Sequence, residues 1–191
     1  ESKECNTIII STRHDSHANL IEKCLKAKKN IFVEKPLCIT KEELKLIKNS
    51  YQGDNILMVG YNRRFAPLVQ ELKNLLKDLP EEKSFIYTCN AGFIEPNHWT
   101  QDKDIGGGRL IGEACHFVDL LRYLANSKIE SFNYIEMKDI KLCPDNFSLQ
   151  LKFQNGSIGV INYFSNGTKS FPKERIEVFS GNSIICLNNF R

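Results

Sequence analysis

Most of the residues able to do chemistry in this 191-residue chain fall in three short clusters. Thr12, Arg13, His14, Asp15 and His17 follow the apolar run "TIIIS", and Glu34, Lys35 and Pro36 follow "NIFV". The third is "GGGRLIGEACHFVD", in which His116 stands between Glu113 and Asp119. An ammonium, a carboxylate and an imidazole within hydrogen-bonding reach of one another can hold a hydroxyl group and move its proton. Proline at 36 has no N–H and pushes Lys35 toward extended geometry, so the strand stops with the lysine at its tip. One such cluster alone could be an ordinary solvated loop. Two on the same edge are more informative, because ligands of open α/β sheets gather at the carboxyl ends of strands.

The elements that must position these residues alternate over the first 59 positions. Asn6 to Ser11 is a β-branched run, and Asp15 can cap a helix with Ala18, Ile21 and Leu25 on one face. Asn30 to Val33 is a second strand, and Thr40 with Glu43 forms a capping box for a helix carrying Leu44, Ile47 and Tyr51. Asn55 to Gly60 is a third strand. Near-continuous apolar strands separated by helices predict a parallel sheet covered on both faces, and three strands are too few to complete one.

After Tyr61 the pattern changes. A helix from about Pro67 to Asp78 precedes the strand "SFIYTCNAGF", a polar loop holding Trp99, and a long helix within Gly106 to Asn126. Spacing at 100° puts Leu110, Ala114, Phe117, Val118, Leu121 and Ala125 on one core stripe and His116 on the opposite, polar side, with Asp119 near enough to orient it. "FSLQLKFQ" and "SIGVINYF" flank Asn155-Gly156, a type I′ hairpin signal, and a second hairpin crosses Gly181-Asn182. The expected fold is a partial α/β unit of parallel strands, residues 1–60, followed by an α+β domain, residues 61–191, with a mainly antiparallel open sheet and helices on one face.

Composition removes several classes. Twenty-six basic against 23 acidic residues form no basic tract, which argues against nucleic acid and anionic membranes as partners. Without an apolar span or a signal sequence, the expected home is cytoplasmic. Seven scattered cysteines, none in a CxxC pair, suggest neither a disulfide framework nor a metal site, and most are read as small core residues. The glycines at 106, 108 and 112 do not make a dinucleotide turn, since the preceding "NHWTQDKDI" cannot be a buried strand; they are read as letting the backbone approach a ligand.

"STRHDSHANLIEKCLKAKKNIFVEKPL", "MVGYNRRFAP" and "HWTQDKDIGGGRLIGEACHFVDLLRYL" resemble the glucose-fructose oxidoreductase and inositol dehydrogenase family (Gfo/Idh/MocA). The resemblance implies that residues 1–60 are the C-terminal part of a partial Rossmann domain, and that the protein is a nicotinamide-dependent oxidoreductase using NAD or NADP on a hydroxyl-bearing carbon of a sugar, polyol or nucleotide sugar. It implies that Thr12, His14 and His17 lie along the cofactor, that Glu34 bonds the nicotinamide ribose, and that Lys35 reaches the oxygen on the reacting carbon. Pro36, in a candidate cis peptide, and Asn62 would complete the cofactor side. Arg63, Trp99, Arg109, Glu113 and His116 would surround the substrate, with Lys35 and His116 catalytic. Trp99, with His98, lines that cleft or packs against the sheet.

Members often place an acid four residues before the histidine, where this chain has Gly112; either Glu113 supplies the carboxylate or Lys35 and His116 work without one. "GGGRLIGEACHF" resembles a sub-branch tied to surface-polysaccharide loci. No G-x-G-x-x-G follows a strand, so the chain is expected to be a fragment that binds dinucleotide weakly alone and forms homo-oligomers through its antiparallel sheet. The competing expectation is a non-catalytic ligand-binding or oligomerisation module of the same fold.

Overall fold

The computed structural model describes residues 4–80, 82–137 and 145–190. Strands β1 (Thr7–Ile10), β2 (Asn30–Val33) and β3 (Leu57–Val59) form a parallel sheet in the order β1-β2-β3. Helices α1 (His17–Lys26) and α2 (Lys41–Ser50) lie between them in sequence. Ile10, Ile31 and Val33 share one sheet face and join Ala18, Ile21 and Leu25 of α1 and Ile47 of α2 in a single buried cluster. The opposite face carries the register Ile9, Phe32 and Met58 and is uncovered among the described residues, with Ile9 72% and Met58 41% exposed. Among the described residues both helices pack on the same side.

The start of α1 also differs from expectation. A 3-10 turn, His14–Ser16, leads into the helix, the N-cap is Ser16, and no side chain caps it, so Asp15 does not perform that role. For α2 the capping box holds: the Thr40 hydroxyl accepts from the Glu43 amide at 3.1 Å, and the Glu43 carboxylate accepts from the Thr40 amide at 3.1 Å.

The second sheet has six strands: β4 (Ser84–Asn90), β5 (Ile129–Glu136), β6 (Phe147–Phe153), β7 (Ile158–Phe164), β8 (Glu174–Ser180) and β9 (Ser183–Asn188). Their order is β5-β6-β7-β4-β8-β9, antiparallel throughout except for the parallel pair β4 and β7. Alternation sends Phe85, Tyr87, Phe147, Leu149, Ile161, Tyr163, Ile176 and Val178 to the buried face. There, after helix α3 (Pro67–Leu75), Phe117 of helix α4 (Cys115–Ala125) stacks on Tyr87 with ring centroids 4.5 Å apart. The type I′ expectation belongs to the other hairpin. Gly181 and Asn182 both have left-handed φ, 54° and 62°, and join β8 to β9 in two residues, whereas only Gly156 of the Asn155-Gly156 pair does.

The chain groups into two compact units, Glu1–Tyr61 with Pro96–Cys115, and Asn62–Glu95 with His116–Arg191. The expected boundary after residue 60 thus leaves out a return of the chain. Residues 96–115 belong with the parallel sheet because backbone and side-chain bonds tie them there, among them Asp15 N to Ile105 O at 3.1 Å. None of the six described cysteines is in a disulfide, and only Cys89 is buried, so the reading of most as core residues does not hold; Cys143 lies outside the described residues.

Candidate active site

The carboxyl ends of β1 and β2 carry the first two clusters. Glu34 is exposed at the tip of β2, its amide bonded to Ile10 O at 2.8 Å. Next to it Lys35 is half-buried, and its Nζ donates to the carbonyl of Gly112 at 2.7 Å. The Lys35–Pro36 peptide is cis. Lysine at a strand tip followed by proline could be read from sequence; a backbone carbonyl as its partner, 77 positions away, could not.

Gly112 makes that partnership possible. It lies in a single π-turn, Leu110–Ala114, that runs into α4, the kind of irregularity that re-aims backbone groups. A Cβ at 112 would meet Gly106 O and His14 Cε1, each at 3.2 Å. Glu113, offered as the displaced carboxylate, is paired instead with Arg109, Nη2 to Oε2 at 3.0 Å. Arg109 is only 4% exposed, so its guanidinium serves that ion pair inside the loop rather than an open substrate surface.

The histidines behave differently from their assigned roles. His17 is fully buried, with Nδ1 2.8 Å from Pro36 O and Nε2 3.1 Å from Thr12 O. Both ring nitrogens lie within hydrogen-bonding distance of carbonyls, so the ring is enclosed between these two loops. His14 donates from Nδ1 to Gly106 O at 2.8 Å and meets Trp99 edge-to-face, centroids 4.8 Å apart. Burial holds its pKa below the ordinary 6.5; the bond to Gly106 opposes this, and the charge of Lys35 adds to it. Trp99 therefore packs on His14, with Arg13 over its ring at 5.7 Å. Thr12 is exposed and its hydroxyl lies 2.5 Å from that of Ser16.

In the other unit, Asn62 is exposed in the 3-10 turn Asn62–Phe65. Arg63 is not a rim residue: Nε and Nη2 grip the Glu174 carboxylate at 2.9 and 2.6 Å, and Tyr87 donates its hydroxyl to the same carboxylate. His116 and Asp119 are buried, 6% and 9% exposed, which corrects the expectation of a wet polar flank. α4 is covered on more than one side, and Asp119 is held bidentately by Arg64 instead of standing ready to orient His116. Nothing in the sequence pairs Arg64 with Asp119 across 55 positions.

Residues 1–61 match the profile of an oxidoreductase family with an NAD-binding Rossmann fold, and residues 83–182 match the GFO/IDH/MocA C-terminal domain. The chain belongs to the GFO/IDH/MocA oxidoreductase family.

It is similar to the myo-inositol 2-dehydrogenase of Thermotoga maritima, 25% identical over 198 residues, covering all of this chain and 59% of that protein. It also resembles the NAD(+)-dependent scyllo-inositol 2-dehydrogenase of Bacillus subtilis, 31% identical over 134 residues, 69% of this chain and 38% of the relative. Among solved structures, levoglucosan dehydrogenase with NADH and L-sorbose superposes with TM-score 0.89 at 25% identity, covering all of this chain and 56% of that one. The chain thus spans between a third and three-fifths of these GFO/IDH/MocA members. No helix among the described residues is long and apolar enough to cross a membrane.

Proposed function

We propose that this chain supplies the hydroxyl-binding residues of a nicotinamide-dependent dehydrogenase acting on a sugar, polyol or nucleotide sugar, in the cytoplasm. The observation that carries the reading is Lys35: an ammonium at the carboxyl end of a Rossmann strand, held on the carbonyl of Gly112. Gly112 precedes His116 by four residues, which supports a shared role for Lys35 and His116 at one substrate. The names of the relatives, inositol and levoglucosan dehydrogenases, support a polyol or sugar rather than an acid or an aldehyde.

The residues present suit the nicotinamide-ribose end of a dinucleotide. The Glu34 carboxylate is exposed at the strand tip and can accept from a ribose hydroxyl. Beside it Gly60 has no Cβ, and one there would meet Glu34 Oε2 at 3.2 Å. When bound, the nicotinamide supplies the hydride acceptor. Lys35 holds the substrate hydroxyl oxygen and takes its proton as it hands one of its own on; His116 is the second residue assigned to orienting that hydroxyl.

In the full-length protein, Lys35→Met and His116→Asn are each expected to lower kcat for polyol oxidation by about 10²- to 10⁴-fold, the usual worth of a positioned proton-transfer group. Steady-state rates with NAD+ and myo-inositol, levoglucosan or another polyol that the parent oxidises check this. Turnover within about twofold of the parent in both variants would leave only the non-catalytic reading.

A further inference from the structure

The cluster around Lys35 contains a group to which no role in proton movement has yet been given. His14 carries its ring proton on Nδ1, because the atom 2.8 Å away, Gly106 O, can only accept. In the neutral ring Nε2 is then left as a bare lone pair. His14 and Lys35 flank the same residue: Lys35 Nζ is bonded to Gly112 O, and the bare α-carbon of Gly112 faces His14 Cε1, the carbon between the two ring nitrogens. A Cβ at 112 would sit 3.2 Å from that carbon, so His14 would have to give way by a few tenths of an ångström. The residue whose carbonyl holds Lys35 therefore has an imidazole fixed in one tautomer against it and no carboxylate of its own, while that of Glu113 is turned to Arg109.

We propose that His14 is the proton acceptor of Lys35: it receives on Nε2 the proton that the lysine takes from the substrate hydroxyl. This rests on the dehydrogenase reading above. As the C–H hydride leaves for the nicotinamide and the C–O bond becomes a carbonyl, the O–H proton passes to Lys35 Nζ and one Nζ proton passes to His14 Nε2, directly or across one water. The ring becomes an imidazolium, still donating from Nδ1 to Gly106 O, and later loses the proton to solvent.

The groups around the ring suit this task. Burial and the charges of Lys35 and His17 disfavour the imidazolium, the bond to Gly106 and Asp15 favour it, and Trp99 and the Arg13 guanidinium over it close one side. His14 is neutral at neutral pH and gives up its proton readily after each turnover.

The test uses His14→Asn in the full-length protein. The asparagine amide can still donate to Gly106 O in place of Nδ1, and it removes Nε2. A fall in kcat of about 100-fold, KM within about threefold, and loss of the acid limb of the pH–rate profile, which lies below pH 6.5 in the parent, support the relay. Unchanged kcat, or a lower kcat with the acid limb intact, overturns it, the second outcome marking a structural role. An independent readout is the nitrogen NMR spectrum of the imidazole above pH 6.5 in protein without cofactor. A protonated Nδ1 and bare Nε2 are expected, and the reverse tautomer overturns the proposal. Lys35→Met separates the two ideas. If it is inactive while His14→Asn is normal, the relay alone fails; if it is active, the dehydrogenase reading fails and takes the relay with it.

Discussion

Arg63, Glu174 and Tyr87 show how one carboxylate can hold a domain interior together. The guanidinium and the phenol converge on Glu174, and Phe117 lies under Arg63 at 4.9 Å. Side-chain exposures of 16% for Arg63 and 8% for Glu174 mean that removing one partner strands the other charge with little water. Glu174→Ala should cost roughly 3–5 kcal/mol in urea unfolding, whereas Arg63→Met with Glu174→Leu should recover much of that loss, since an apolar pair leaves no buried charge behind. This network was invisible in the sequence, where Arg63 reads as a cleft residue and Glu174 as the start of a strand. Lys35 and Glu34 were legible because a proline forces them to a strand tip. The histidines were legible as a cluster but their bonding partners were not, because a backbone carbonyl leaves no mark in the pattern of side chains.

At the scale of elements, local signals did best where the chain decides its own conformation. β2 runs from Asn30 to Val33, the span expected from its β-branched run and the following proline. The capping box of α2 was legible for the same reason, and Thr40→Ala should destabilise the protein by about 1 kcal/mol, read as a shift in the urea midpoint without a change in slope. α4 was harder. Its stripe Ala114, Phe117, Leu121 and Ala125 is buried as the helical period predicts, but Leu120, Leu124, His116 and Asp119 are buried too. A helical projection says which side is apolar; it does not say that the polar side will also be covered. The π-turn before α4 adds to the difficulty, since no residue type at Leu110–Ala114 signals it. The end of α4 is closed by distant residues: Lys73 donates to Tyr123 O and Leu124 O at 2.5 and 3.3 Å, and Asn155 donates to Ala125 O at 3.1 Å.

For the whole molecule, the two kinds of sheet were foreseeable from run lengths and alternation, but the return of residues 96–115 to the first unit was not. That return is encoded in bonds such as His14 to Gly106 and Lys35 to Gly112, each between a side chain and a backbone carbonyl. The six-stranded sheet leaves one face without helices among the described residues, with Ile158 54%, Ile184 63% and Phe164 37% exposed. We expect copies of this chain to associate through it; Ile158→Lys should shift the sedimentation coefficient toward that of a single copy while leaving the circular dichroism spectrum unchanged.

The three-stranded sheet presents a different surface. Ile9, Phe32 and Met58 stand side by side on one face with no charge among them. For these 191 residues by themselves, salts such as ammonium sulfate, which raise the cost of wetting hydrocarbon, should favour association through these three residues, and Ile9→Lys should keep them in solution at concentrations where the unsubstituted chain clouds.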